Sequence, residues 1–140
     1  MRFMVLVKAT ADSEAGVMPT PEELTAMGAF NEELVKAGIL LAGEGLHPSS
    51  NAVRVKFSGD GTTVVDGPFA ETKELLAGFW ILELPSWDEV VAWVRRVPNV
   101  TGAESELEIR QIFSDEDFAY AGEEIVAKEK ELRARTENNG

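Results

Sequence analysis

Phe3-Met4-Val5-Leu6-Val7, closed by Lys8, is apolar at every position. In an extended strand Phe3, Val5 and Val7 point to one side and Met4 and Leu6 to the other. Both faces of the sheet that holds this strand therefore need cover, which helices on one face alone do not supply. The run has no basic segment before it and no small-residue cleavage site after it, so it reads as a first strand and not as a signal peptide.

Outward from this strand, Thr20-Pro21-Glu22-Glu23 supplies an N-cap, a proline at the first helical position and a glutamate at N3, the pattern of a capping box. Leu24, Met27, Phe30, Leu34 and Val35 recur at helical spacing, and Gly38 suits a left-handed stop, so the helix is predicted to end near residue 37. Ile39 to Ala42 reads as a second strand. Gly43-Glu44-Gly45-Leu46-His47-Pro48 then reads as a turn-rich loop holding the one histidine of the chain. Val53, Val55 and Phe57 alternate with Arg54 and Lys56, and Gly59-Asp60-Gly61 turns the chain into Thr62 to Val65, a hairpin with one solvated face.

Gly78 to Leu84 is a third apolar strand. Ser86-Trp87-Asp88-Glu89 repeats the capping-box pattern ahead of Val90, Val91, Val94 and Val97, with Arg95 and Arg96 in the last turn and Pro98 as the stop. Trp93 falls off that apolar stripe. Leu107 to Phe113 is the last strand, with Leu107, Ile109 and Phe113 on one side. The order strand, helix, strand, hairpin, strand, helix, strand predicts an α+β fold, a ferredoxin-like sheet with an inserted β-hairpin and both helices on one face. Met4, Leu6, Ile112 and an alternating set from Phe79 to Leu84 then stay uncovered in a monomer. Such a patch usually marks an interface, and a two-fold pairing of facing sheets buries it on both copies, giving a homodimer. A monomer with an unusually apolar sheet is the alternative.

The chain has 140 residues, 44% of them apolar, which fits one core. Domain organisation is predicted as 1–118 for that core and 119–140 for a helical extension with a disordered end from Thr136. Glu124 with Lys128, Glu129 with Arg133 and Glu131 with Arg135 support the extension helix, whose apolar face of Ile125, Val126 and Leu132 is thin. Acidic side chains number 25 against 13 basic ones, a net charge of −12, which repels phosphate backbones and anionic headgroups. Nucleic acid and membrane are thus unexpected partners, and no run reaches the ~18 apolar residues of a membrane helix. With no cysteine there is no disulfide frame, thiolate nucleophile or Cys-ligated zinc. A cytoplasmic location is the expectation.

Asp66-Gly67-Pro68-Phe69-Ala70-Glu71-Thr72-Lys73-Glu74, followed by Gly78-Phe79-Trp80, resembles the signature of the DGPF branch of YCII-related proteins. Gly43-Glu44-Gly45-Leu46 and Glu108-Ile109-Arg110-Gln111 add to the resemblance, which runs from Phe3 to about Phe118. It implies a dimeric α+β barrel made by two facing ferredoxin-like sheets. It further implies either a small-molecule enzyme or ligand-binding protein, since some relatives are proposed to pair a histidine with an aspartate in an interfacial pocket, or an accessory regulator associated with an extracytoplasmic-function sigma factor. The better-known relatives carry their histidine in the first helix, whereas Leu24 to Val35 has none here. Only Asp66 matches a family motif.

His47 and Asp66 are the available imidazole and carboxylate, and they flank the same hairpin. Together they suit proton abstraction with β-elimination, or tautomerisation, of a small carboxylate-bearing compound, lyase or isomerase chemistry. Arg54 and Lys73 are candidate anion binders and Trp80 a candidate apolar wall. Plainer readings stand beside these. A lone histidine before proline is more often an exposed loop residue, and Asp66 reads equally as a side-chain cap of its turn, with Phe69 tucked into the core. Glu71, Lys73 and Glu74 read as a solvated face, and Trp80 as core or interface. No metal and no cofactor are expected, because no spaced ligand set or Gly-rich phosphate loop occurs.

Overall fold

The chain runs through β1 (Arg2–Lys8), a short helix α1 (Ala11–Glu14), α2 (Pro21–Lys36), β2 (Leu40–Gly45), hairpin strands β3 (Val53–Ser58) and β4 (Gly61–Asp66), β5 (Leu76–Glu83), α3 (Trp87–Val94), β6 (Leu107–Gln111) and α4 (Glu123–Asn139). This computed structural model describes residues 1–139. Four strands form one antiparallel sheet in the order β2-β5-β1-β6, the ferredoxin-like order, and β3 with β4 forms a second sheet of its own. No helix among the described residues is long and apolar enough to cross a membrane.

One face of the four-stranded sheet carries the core. Phe3 and Val5 of β1, Trp80 and Leu82 of β5, Phe30 and Leu34 of α2 and Val90 of α3 are buried together. Each contributes roughly 1.5–3 kcal/mol over leaving it exposed. Edge-to-face contacts join Phe3 to Trp87 at 5.0 Å and Phe30 to Trp80 at 5.9 Å. Trp93 belongs to this layer too, packing on the core and meeting Phe30 at 6.5 Å, although its sequence position falls off the valine stripe. An indole is long enough to reach across to α2 from the flank of α3.

α2 starts as read, with Thr20 as N-cap accepting from the Glu23 amide and Pro21 in the first turn, and it ends at Lys36 before Gly38 at φ 72°. Leu24 and Val35 are exposed, since Val35 stands about 100° around the helix from buried Leu34. α1 was not foreseen. Thr10 and Ser13 close a reciprocal capping box around its single turn. α3 stops at Val94, four residues before Pro98, because Arg96 and Val97 close i→i+3 bonds to Trp93 and Val94. β6 likewise ends at Gln111, and Phe113 leaves the sheet to pack on Phe118 at 5.0 Å. The expected turn at Gly43-Glu44-Gly45 is instead the second half of β2, paired with Trp80, Phe79 and Gly78.

The opposite sheet face is open, as its alternation implied. Met4 and Leu6 lie across from Ile81 and Phe79, and all four are half-buried. The hairpin departs from expectation more. Val53, Val55, Phe57 and Val64 are 59, 51, 81 and 62% exposed, because the arm pairs with no strand of the main sheet.

α4 packs on the 3₁₀ segment Asp115–Ala121 and continues helically to Asn139, past the disorder expected from Thr136; Gly140 lies outside the described residues. Of the foreseen pairs Glu131–Arg135 forms, at 2.6 Å. Lys128 turns to Glu131, and Arg133 and Lys130 reach Asp115 and Glu116 on the neighbouring segment.

Candidate functional site

Gly43 and Gly45 of β2 stand opposite Trp80 and Gly78 of β5. A Cβ on Gly43 would lie 2.9 Å from Trp80 Cδ1, so glycine is what lets the indole approach the strand. One on Gly78 would lie 2.9 Å from the Glu44 carbonyl oxygen. At Gly45 a Cβ meets nothing within 4 Å. The three glycines thus thin the strand pair at one end, and with Pro19 and with Met27 and Asn31 of α2 they bound a cavity of 370 Å³. Trp80 Nε1 donates to Asn31 Oδ1 at 2.9 Å, which fixes the amide with Nδ2 as its remaining donor. The lining is otherwise mostly apolar, the usual make-up of a small-molecule site.

A more polar cleft of 470 Å³ is lined by residues on either side of the hairpin base, among them His47, Asn51, Arg54, Phe69, Glu14 and Glu74. The Arg54 guanidinium lies over the Phe69 ring at 3.8 Å and reaches Glu71 at 3.8 Å. The His47 imidazole is exposed, with Nδ1 at 3.1 Å from Asn51 Nδ2. An amide nitrogen only donates, so Nδ1 accepts and a neutral His47 carries its proton on Nε2.

The Asp-Gly-Pro-Phe segment acts as a clasp. Asp66 closes β4 opposite Val53, the Gly67 amide donates to the Ala52 carbonyl at 2.9 Å, and the Gly67–Pro68 peptide is cis. A Cβ on Gly67 would fall 1.8 Å from the Ser49 carbonyl oxygen, so no other residue fits there without moving the backbone. The Phe69 amide donates to Ser49 Oγ at 3.0 Å. Ser49, the one buried polar residue among the described residues, donates from Oγ and from its amide to the two carboxylate oxygens of Glu14. Phe69 is half-buried against Arg54 and stays outside the main core, contrary to expectation, because its amide is tied to Ser49 at the hairpin base.

The five residues singled out in the sequence are therefore divided among separate places. His47 and Arg54 share the polar cleft, Trp80 walls the apolar cavity, and Lys73 lines a third cleft beside Lys8, Thr10, Glu104 and Glu106. Asp66 lines none of the three and shares no hydrogen bond or ion pair with His47 within the chain. The hairpin register does bring Asp66 down to Val53, but the 3₁₀ turn Ser49–Asn51 stands between His47 and that ladder. No group of three potential metal ligands gathers among the described residues. Near the third cleft, Lys8 and then Arg110 hold the Glu108 carboxyl below the ordinary carboxylate range by hydrogen bonding and charge.

Asn31, Ser49 and Glu14 escaped the sequence reading. The signal for the cavity was present in Gly43-x-Gly45 with Gly78, whose spacing of two puts the first pair on one strand face. Nothing local marks Ser49 or Glu14, since their partners lie 20 and 35 residues away.

The YCII-related domain model matches residues 1–127. This chain belongs to the YCII-related family. An uncharacterized protein of Rhizobium meliloti (strain 1021) is 35% identical over 86 residues, spanning 61% of this YCII-related chain and 69% of the relative. Among solved structures, 5-chloro-2-hydroxyhydroquinone dehydrochlorinase (TftG) from Burkholderia phenoliruptrix AC1100, in complex with 2,5-dihydroxybenzoquinone, aligns with a TM-score of 0.45 at 20% identity, covering 83% of this chain and 98% of that one.

Proposed function

We propose that this YCII-related protein is a small-molecule enzyme or ligand-binding protein whose compound occupies the cavity between α2 and the β2–β5 pair. The observation that carries this reading is the glycine cradle: Gly43 and Gly78 let Trp80 and the Glu44 backbone close in, and Gly45 leaves open space that a side chain would fill, beside a fixed Trp80–Asn31 pair. The compound that fits is flat and largely apolar, resting on Trp80, with one acceptor oxygen, carbonyl or carboxylate, for Asn31 Nδ2.

The polar cleft favours a second, compatible reading as a carboxylate subsite. Arg54, stiffened on Phe69, and the Nε2–H of His47 are both donors there. In that tautomer Nε2 is a hydrogen-bond donor, so proton abstraction needs either Nδ1 released from Asn51 or Nε2 in the other tautomer. The acid–base pair of His47 with Asp66 additionally needs the two side chains brought together, across a two-fold axis or by movement of the Ser49–Asn51 turn.

A homodimer through facing sheets is part of the same proposal. The open face has an apolar centre of Met4, Leu6, Phe79 and Ile81. Around it stand three cations, Arg2, Lys8 and Arg110, and three anions, Glu44, Glu83 and Glu108, so on a chain of net charge −12 this face is balanced. Two acidic copies repel least where each is neutral and apolar.

The test is Gly45→Leu, which fills the cavity without meeting a protein atom at Cβ. Titration of hydroxybenzoates and related aromatic carboxylates, followed by tryptophan fluorescence and backbone amide NMR shifts, should show saturable binding to the native chain. A folded Gly45→Leu variant should lose at least about tenfold in affinity, about 1.4 kcal/mol. Equal binding by both proteins removes the cavity from the proposal.

A further inference from the structure

We propose that the β3–β4 hairpin is a docking arm that lays its apolar face on a second copy of this chain, aimed by the Glu14–Ser49–Phe69 clasp at its base. The inference rests on the two-copy reading above and extends it to an element that the sheet pairing does not use.

In the hairpin register Val55 stands opposite Val64 and Phe57 opposite Thr62, so Val53, Val55, Phe57 and Val64 share one face. All four are more than half exposed, with Phe57 at 81%. A two-stranded ribbon has little stability by itself, and one whose face carries Val53, Val55, Phe57 and Val64 uncovered, with Thr62 near its tip and Asp66 at its base, needs a surface to lie on. Within the described chain it has none, since the arm pairs with no other strand.

The position of the arm is nevertheless defined. Ser49 ties the hairpin base to Glu14 on the β1–α2 connection and to the Phe69 amide on the return to β5, while Gly67 seats on the Ser49 carbonyl. These bonds hold both ends of the arm to the body and leave its tip projecting. Ser49 is buried by these contacts and Glu14 is half-buried, so the clasp is a fixed part of the core edge.

Charge selects the occupant. Arg54 and Lys56 balance Asp60 and Asp66, so the arm is neutral in a chain of net charge −12. A basic partner would gain by docking on the acidic remainder of the surface and gains nothing at the arm. A second acidic copy has the opposite preference, because the arm and the balanced outer sheet face are where it can approach with little repulsion. Facing sheets cover Met4, Leu6, Phe79 and Ile81 on both copies, so the arm's place is on the partner's surface beyond that patch.

The experiment is sedimentation velocity of the full chain from about 1 to about 100 μM, with Val55→Asp, Phe57→Asp and Ile81→Asp variants whose folding is checked by near-ultraviolet circular dichroism. A native dimer that either arm variant weakens at least about tenfold supports the proposal. A native monomer over the whole range overturns both the arm and the paired sheets. Arm variants that dimerise like the native chain, while Ile81→Asp does not, overturn the arm and leave the sheet pairing intact. Because the chain has no cysteine, Thr62→Cys carries a single environment-sensitive dye on the arm's apolar face. A blue shift over the concentrations where the dimer forms supports docking, and an unchanged spectrum there overturns it.

Discussion

Trp80 and Asn31 meet across the cavity, indole Nε1 to Oδ1 at 2.9 Å, and the pair couples β5 to α2 at the place where three glycines have removed side chains. Asn31→Ala leaves a buried indole N–H without its acceptor. It should destabilise the fold by roughly 1–3 kcal/mol, read as a lower urea midpoint at unchanged slope. A native midpoint would mean that solvent replaces the amide at no cost.

The glycines make a graded series. Gly45→Ala should change stability by less than about 1 kcal/mol, since its Cβ meets open space. Gly43→Ala, at 2.9 Å from Trp80 Cδ1, should cost about 1–3 kcal/mol by displacing the indole. Gly67→Ala drives a Cβ to 1.8 Å from the Ser49 carbonyl and should cost about 3 kcal/mol or more. Denaturation midpoints out of that order would contradict the strand register.

The clasp predicts its own asymmetry. Ser49→Ala removes the bond from the Phe69 amide and the hydroxyl bond to Glu14, leaving the Ser49 amide bond to that carboxylate, whereas Glu14→Gln keeps an acceptor for the Ser49 amide. Ser49→Ala should therefore be the more damaging, at about 1–3 kcal/mol, with amide exchange accelerating first at Ala52, Gly67 and Phe69. Exchange unchanged at those three amides would show that the hairpin base holds without Ser49.

His47 has a spectroscopic prediction. With Nδ1 accepting from Asn51, ¹⁵N shifts of the neutral imidazole should report the Nε2–H form. Asn51→Ala should mix the tautomers. A predominant Nδ1–H form in the native chain would free Nε2 to act as a base and revive proton abstraction by His47.

Acid should weaken the β1–β6 edge. The Glu108 carboxyl is held below its ordinary value by Lys8 and Arg110, so it favours the folded state above the unfolded carboxylate pKa. That contribution fades as pH falls through the lowered folded value. Glu108→Gln should thus flatten the acid limb of the stability curve, and added salt should flatten it in the native protein. A native-shaped acid limb in the variant would place the titration elsewhere.

Much of the architecture was legible in the chain. Period-two and helical patterns in Phe3–Val7, Leu24–Leu34 and Gly78–Leu84 are set by backbone geometry that recurs in every fold, and caps such as Thr20 and Ser86 bond to amides three residues on. The site was legible only in its parts. Trp80 is buried beside Phe30, as its core reading expected, and it also lines the cavity.

What the sequence by itself determined is the element order, the doubly apolar first strand and the YCII-related membership, all of which depend on neighbours within a turn or on a contiguous motif. What only the tertiary structure decided is which glycine faces which strand, that Ser49 joins Glu14 to Phe69, and that His47 shares a cleft with Arg54 while Asp66 stands apart. The physical reason is distance along the chain. Gly43 meets Trp80, and Glu14 meets Ser49, across 35 residues or more, and such contacts are fixed by the packing of whole elements, which no local pattern encodes.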